Sequence, residues 1–250
     1  VGNYVKQAPC FACNGRGGTY YTDGYKCFSC GISYGGTGKL KAVDKKSTDE
    51  LVWPPGTVFE PEAFTLDVKK WLYTHYVTDY LITKYSLGCI PESNAVVLPI
   101  KIDGELKSYS VRKFSKNSCK YKYITKGSKK EANFFTGQDI QSDKIVLVED
   151  FLSSIRVGEY CPCLCLQGTN ISDTLLRELI KKYNKIVIWL DDDEGGNNGY
   201  KKIKTRAKTL LADNYVRNLW ALNPQMGKCV RLKTEKDPKC LSPNELKELL

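Results

Sequence analysis

With a single histidine, His75, in 250 residues, the chain has no Ser-His-Asp or Cys-His catalytic centre to build. His75 falls between two helical patterns and reads as a packing or surface residue. Apolar runs stop at about five residues (Ile145–Val148, Ile186–Leu190), against the roughly 20 that a bilayer span needs, so no membrane partner is expected. The N-terminus is polar and reaches cysteine by residue 10, so no signal peptide is expected either. No repeat, long low-complexity tract or P-loop occurs. A composition of 42% hydrophobic and 26% charged residues excludes collagen, coiled coil and wholesale disorder. The length suits one large domain or two to three small ones, each with its own core.

What is present is basic and rich in cysteine. The net charge is +10, which favours a polyanionic partner. Residues 101–130 hold ten Lys/Arg against Asp103 and Glu105, so most of the excess sits on one segment. There the basic residues alternate with Tyr109, Phe114, Tyr121 and Tyr123, a pattern that suits phosphates and stacked bases. Eleven cysteines is an odd count. It points to a reducing compartment and a metal site rather than a disulfide scaffold. Cys161, Cys163 and Cys165 share one face of a strand by alternation and read as buried thiols.

The cysteine signal is sharpest in Cys10-x-x-Cys13 and Cys27-x-x-Cys30. Two such turns close a tetrahedron around one Zn²⁺, and four thiolates leave no open position, so the zinc is structural. Residues 1–34 therefore read as a small β zinc ribbon and residues 35–61, small, polar and prolyl, as a linker. Helical spacing from Ala63 to Tyr76 precedes a helix capped at Thr78-Asp79 and ended by Gly88. Ala95–Ile102 and Glu105–Phe114 form a hairpin over Asp103-Gly104. Strand and helix then alternate: strand Lys144–Glu149, helix Phe151–Glu159, strand Leu164–Gln167, helix Ser172–Tyr183, strand Lys185–Asp191, helix from about Asn198 to Ala212, and strand Val216–Leu222. A short helix, Ser242–Leu250, ends the chain. This order argues a parallel sheet covered on both faces, an α/β fold.

Acidic residues mark the ends of two of these strands. Glu149 follows one and Asp191-Asp192-Asp193-Glu194 follows another, before Gly195-Gly196. Ligands of open α/β sheets gather at the carboxyl ends of strands. Alternation turns Asp191 and Asp193 one way and Asp192 the other, so Glu149, Asp191 and Asp193 can converge. Carboxylates that close call for a cation, and Mg²⁺ is the hard, oxygen-seeking choice.

In this order the pieces resemble the DnaG-type primases, above all the primase half of phage primase–helicase proteins. Val148-Glu149 looks like the glutamate motif of the TOPRIM fold, Gln167-Gly168-Thr169 like its glycine turn, and Leu190–Gly196 like its aspartate-x-aspartate motif. Gly195 stands where the family usually has alanine. Arg112 and Lys122-Tyr123-Ile124 resemble the positions that hold template or nucleotide, and Lys236-Asp237-Pro238 the C-terminal lysine-aspartate-proline. The family glutamate is usually followed by glycine and, four residues on, by aspartate. Here Asp150 and Ser153 stand there. Ser153 is expected to reach a metal-bound water, and Asp150 to point away from Glu149.

The resemblance implies an α+β chain overall: a zinc ribbon (1–34), a linker (35–61), a basic N-terminal part of a primase core (62–142) and a TOPRIM catalytic domain (143–250). It implies a DNA-dependent RNA primase, a nucleotidyltransferase making short primers on single-stranded DNA for replication. Glu149, Asp191 and Asp193 would be catalytic and hold two Mg²⁺ or Mn²⁺ ions. Arg112, Lys122 and Tyr123 would contact nucleotide or template. Ribonucleoside triphosphates and a replicative helicase are the further partners, in a cytoplasm, that of the bacterial host for a phage-encoded chain. Two rivals share parts of the pattern. A recombination-repair mediator joins a zinc motif to TOPRIM without catalysis, but places the two close together. A TOPRIM nuclease shares the acids and has no use for a template-reading ribbon.

Metal analysis of protein purified without chelators is expected to find one zinc per chain. Cys27→Ser should unfold the ribbon and leave the remainder folded. Zinc-free wild-type protein would refute the ribbon.

Overall fold

A computed structural model describes residues 4–9, 18–21, 24–27, 33–35, 40–41, 51–114, 124–127, 134–211 and 227–250. The chain divides into two compact units, Val1–Glu50 and Leu51–Leu250.

The first unit is an antiparallel sheet of five short strands in chain order: β1 (Tyr4–Ala8), β2 (Gly18–Tyr21), β3 (Gly24–Cys27), β4 (Ser33–Gly35) and β5 (Leu40–Lys41). Tyr25 and Cys27 on β3 are buried, and Tyr20 packs on Tyr25 with ring centroids 4.7 Å apart. Cys10, Cys13 and Cys30 lie outside the described residues, so of the four expected zinc ligands only Cys27 is described, and it is buried.

The second unit joins two sheets. The first is antiparallel: β6 (Gly88–Ile90), β7 (Ala95–Ile102), β8 (Glu105–Lys113) and β9 (Ile124–Gly127). The β7–β8 hairpin turns on Asp103 and Gly104, at φ 52° and 82°, the two left-handed residues of the turn type whose twist matches the strands. β7 is buried from Ala95 to Ile100 because both its faces are covered. Val96, Leu98 and Ile100 pack with helices α1 (Leu66–Thr74) and α2 (Asp79–Lys84). Ala95 and Val97 pack with Tyr109 and Val111 under Leu51 and Trp53. Val58 pairs with Cys89 as an isolated bridge. Residues 51–58, within the span read as linker, are thus part of this core. Gly88 opens β6 and does not end α2, which stops at Lys84, where Ser86 turns the chain at φ 52°.

The second sheet has the order β10 (Phe134–Thr136), β12 (Cys163–Cys165), β11 (Lys144–Val148), β13 (Lys185–Trp189), β14 (Lys228–Arg231). All neighbours are parallel except β10. Helix α3 (Phe151–Val157) links β11 to β12, and α4 (Asp173–Lys182) links β12 to β13. Ile145, Leu147, Ile186 and Ile188 face α4 and α5 (Glu194–Leu211), while Val146, Val148, Val187 and Trp189 face Val157, Leu241 and Leu246. Continuous apolar strands are what a doubly covered parallel sheet requires. Cys161, Cys163 and Cys165 are buried within it. The last parallel strand is Lys228–Arg231 at the edge, where charged ends leave little apolar signal. The expected strand 216–222 lies outside the described residues. Among the described residues no helix is long and apolar enough to cross a membrane.

Among the described α-helices, starts follow capping chemistry, with one exception. The Ser172 hydroxyl accepts the Leu175 N–H at 3.2 Å, and Ser242 forms a capping box with Glu245 at the start of α6 (Pro243–Leu249). Thr78 occupies the cap of α2 but makes no side-chain bond there. Ser172→Ala should therefore cost about 1 kcal/mol, the usual worth of a cap, and Thr78→Ala measurably less. Urea midpoints of the two variants check this; equal losses would contradict the capping geometry.

Candidate active site

The sheet's connections reverse direction at β11. From β11 the chain crosses through α3 to β12 on one side, then through α4 to β13 on the other. The splaying loops open a crevice at the carboxyl ends of the strands, the general ligand position of such sheets. Glu149 follows β11 there. Val148 pairs with Trp189 in register, so the residues after β13 emerge beside Glu149. The Asp191 backbone N–H lowers the Glu149 carboxyl's pKa against its other neighbours. The Gln167-Gly168 turn after β12 closes the third side, with the Gly168 N–H on the Glu149 carbonyl at 3.1 Å.

The carboxylates crowd. Burial pushes the Glu149 carboxyl above its ordinary value, and Asp191, Asp193 and Asp150 push it further. Asp191 is raised by burial and then by Asp237, with Lys239 pulling the other way and Asp150 and Asp193 adding to the rise. Asp193 also caps α5, its Oδ1 accepting the Gly196 N–H at 2.7 Å. Asp192 is turned outward, as alternation requires, and is paired with Lys233 and with Arg231 at 3.7 Å.

Glu149 and Arg112 line one cleft of about 350 Å³ together with Trp71, Leu98, Ile100, Ser110, Asp150, Phe151, Leu152, Gln167, Gly168 and Lys239. The Arg112 guanidinium lies over the Trp71 ring, 4.4 Å from its centroid. A cation–π contact of this kind holds the guanidinium in place on the cleft wall. Of the other expected nucleotide contacts, Lys122 and Tyr123 lie outside the described residues. Tyr109 is buried in the β7–β8 core and Phe114 packs on Trp71, so these two rings serve packing rather than base stacking. His75 bonds the Trp71 carbonyl through Nδ1 at 2.7 Å, the packing role expected of it.

Two expectations about the departures from the glutamate motif are corrected. Asp150 lines the cleft beside Glu149 instead of pointing away. Ser153 is 2% exposed and donates its hydroxyl to Asp150 at 2.6 Å, so it is committed there rather than to a metal-bound water. Both follow from Asp150 capping α3, which draws its carboxylate back over the first helical turn.

Sequence reading passed over two further residues. Lys239 bridges Asp150 at 3.1 Å and Asp237 at 2.7 Å. Burial alone would lower its pKa, but the two carboxylates outweigh burial and hold it above the lysine range. Arg231, at the end of β14, donates to the Gly196 carbonyl at 2.8 Å and the Asp191 carbonyl at 3.4 Å, fixing the acidic loop from behind. Lys236-Asp237-Pro238 was the available signal for the first; an isolated arginine on an edge strand offered none for the second.

In donor chemistry the site fits a hard divalent cation. Its donors are all carboxylate oxygens, and the crowding that makes Glu149 and Asp191 hold protons tightly also favours Mg²⁺ or Mn²⁺. Among the described residues no group of three His, Cys, Asp or Glu side chains is drawn together around one point.

Residues 148–238 match the Toprim-like family. The structure is similar to that of the DnaG catalytic core, at 14% identity over 70% of this chain and 67% of that one, with a TM-score of 0.51. It is also similar to the Aquifex aeolicus primase, zinc-binding and RNA polymerase domains, at 15% identity over 98% and 78%, with a TM-score of 0.51. The primase fragment of the bacteriophage T7 primase–helicase protein matches at 17% identity over 98% and 99%, with a TM-score of 0.43. No curated protein sequence matches the chain. The chain shares the fold of DnaG-type primases, with a Toprim-like domain over residues 148–238.

The two glycines after the acids are not equivalent. A Cβ on Gly196 would stand 2.0 Å from the Asp191 carbonyl oxygen, whereas one on Gly195 would meet Asp193 Oδ1 at 3.3 Å. Gly196→Ala should lower the melting temperature of the second unit by several degrees. Gly195→Ala should leave it unchanged or raise it, since alanine gains about 1 kcal/mol over glycine inside a helix. Thermal denaturation of the pair decides; equal behaviour would mean that α5 does not approach the strand end this closely.

Proposed function

We propose that the chain is a DNA-dependent RNA primase that joins ribonucleotides on a single-stranded DNA template. One observation carries the reading: Glu149 and Asp191 meet at the carboxyl ends of β11 and β13, with Asp193 close by, and the cleft before them also holds Arg112. A cluster of acids needs a cation. A cleft with acids at one place and a stacked arginine at another suits a substrate that is itself polyanionic.

The reaction is attack of a 3′-hydroxyl on an α-phosphate with loss of pyrophosphate. Glu149, Asp191 and Asp193 would hold the divalent cation, Mg²⁺ or Mn²⁺, which when bound neutralises triphosphate charge and favours the attacking oxygen. Arg112 would bind triphosphate or template phosphate through its edge, oriented by Trp71. The apolar wall of Trp71, Leu98, Ile100 and Leu152 would limit water at the reacting groups. The ribbon, with zinc on Cys10, Cys13, Cys27 and Cys30, would read template and help choose the start. Lys122 and Tyr123 would extend the contact with template or nucleotide, and a replicative helicase would be the partner in replication.

The test is a product gel with labelled ribonucleotides and varied single-stranded templates. Oligoribonucleotides are expected. Template binding without product would favour a recombination mediator, and cut strands a nuclease. In the same assay Asp191→Asn and Asp193→Asn should each lose at least about 100-fold in primer synthesis, the scale of removing one electrostatic stabiliser, while binding of single-stranded DNA persists. Asparagine still caps a helix, so Asp193→Asn should keep its melting temperature. Asp192→Asn should stay near wild type, because its carboxylate is spent on Lys233 and Arg231. An inactive Asp192→Asn beside an active Asp191→Asn would overturn the site.

A further inference from the structure

One of the cations in the acidic cleft is supplied by the chain itself. Lys239 is the middle residue of a single 3₁₀ turn, Pro238–Cys240. That turn is held at both ends. Before it, Trp189 Nε1 donates to Thr234 Oγ1 at 2.9 Å, whose hydroxyl donates to the Lys236 carbonyl at 2.6 Å. After it, the buried Arg156 donates to the Leu241 carbonyl at 3.3 Å. The ammonium therefore has a fixed place and does not sweep the surface as a free lysine would. Its side chain is 18% exposed.

Its two partners are Asp150 and Asp237. Asp150 is tied down by the Ser153 N–H at 3.1 Å and the Ser153 hydroxyl at 2.6 Å, and Asp237 reaches the same ammonium from the turn itself. Oδ2 of Asp150 and Oδ2 of Asp237 are thus taken up by an N⁺–H donor. A divalent ion binds oxygens at about 2.0–2.1 Å. It would have to expel the ammonium to reach these, because two cations cannot share them at that range. Glu149, Asp191 and Asp193 carry no such internal partner among the bonds described above, and they remain for a metal.

We propose that Lys239 Nζ fills a second cation position in the cleft, so that the site takes one divalent ion, on Glu149, Asp191 and Asp193, and not two. The fixed ammonium then meets the anionic tail of a bound triphosphate where a second metal would otherwise stand. A lysine serves this purpose as a point charge. The triphosphate part rests on the polymerase reading given above; the ion count does not.

The test is titration of the zinc-loaded full chain with Mn²⁺, without nucleotide, followed by the electron paramagnetic resonance signal of free Mn²⁺. Wild type and Lys239→Arg should each bind one Mn²⁺ per chain. Lys239→Met, of similar length and without charge, should bind two. Two ions on wild type, or one on folded Lys239→Met, would overturn the proposal. If Lys239→Met does not fold, the wild-type count still decides. Primer synthesis run beside the titration separates the two ideas. One Mn²⁺ and no primers removes the polymerase reading and keeps the lysine's place as a cation. Two Mn²⁺ with primers does the reverse.

Discussion

Carboxylates forced together at the mouth of a parallel sheet set the terms for the rest of the molecule. Burial and then Asp191, Asp193 and Asp150 raise the Glu149 carboxyl, and burial and then Asp237, with Asp150 and Asp193, raise Asp191. Left alone, such charges would push the strand ends apart or take up protons. The chain resists with backbone geometry. The β11–β13 ladder sets Val148 against Trp189, and the Gly168 N–H bonds the Glu149 carbonyl at 3.1 Å. Repulsion that cannot be relieved by movement is relieved by cations, and Lys239, bridging Asp150 and Asp237, supplies one.

Two kinds of support keep the acids from relaxing. Behind the aspartate loop, Arg231 grips carbonyls on both sides of the turn, and α5 comes so close that only a glycine fits at position 196. In front, Asp150 and Asp193 each spend one oxygen capping a helix, α3 and α5. A capping carboxylate is held in one orientation and is partly compensated by the helix start. The same residues therefore organise the fold and present charge to the cleft, and changes to them test both roles at once unless shape is conserved.

The basic half contributes by a different route. Its antiparallel sheet is stiffened by apolar layers on both faces, one of them completed by Leu51 and Trp53. That rigidity places Arg112 on the cleft wall, stacked on Trp71. Among the segment's described positive charges, Arg112 is given a defined place by packing, over the Trp71 ring. Lys107 pairs with its neighbour Glu105 at the surface. Net charge alone would have weighted them equally.

Much of this was legible in the residues. Val146 to Val148 and Ile186 to Trp189 announce doubly covered strands, Asp103-Gly104 a hairpin, Ser172 a helix start, and the acids after two such strands a ligand crevice. Each of these signals lies within a few consecutive residues, where dihedral preference, alternation and capping act. Tertiary structure decided what depends on partners far apart in the chain. Trp53 belongs to a core because β7 has a second face to cover. Tyr109 is a packing residue because that same core claims it. Asp150, oriented by its cap on α3, meets Lys239, 89 positions away, in the cleft. Burial and charge pairing are properties of pairs of surfaces, and a sequence read one window at a time contains only one surface of each pair.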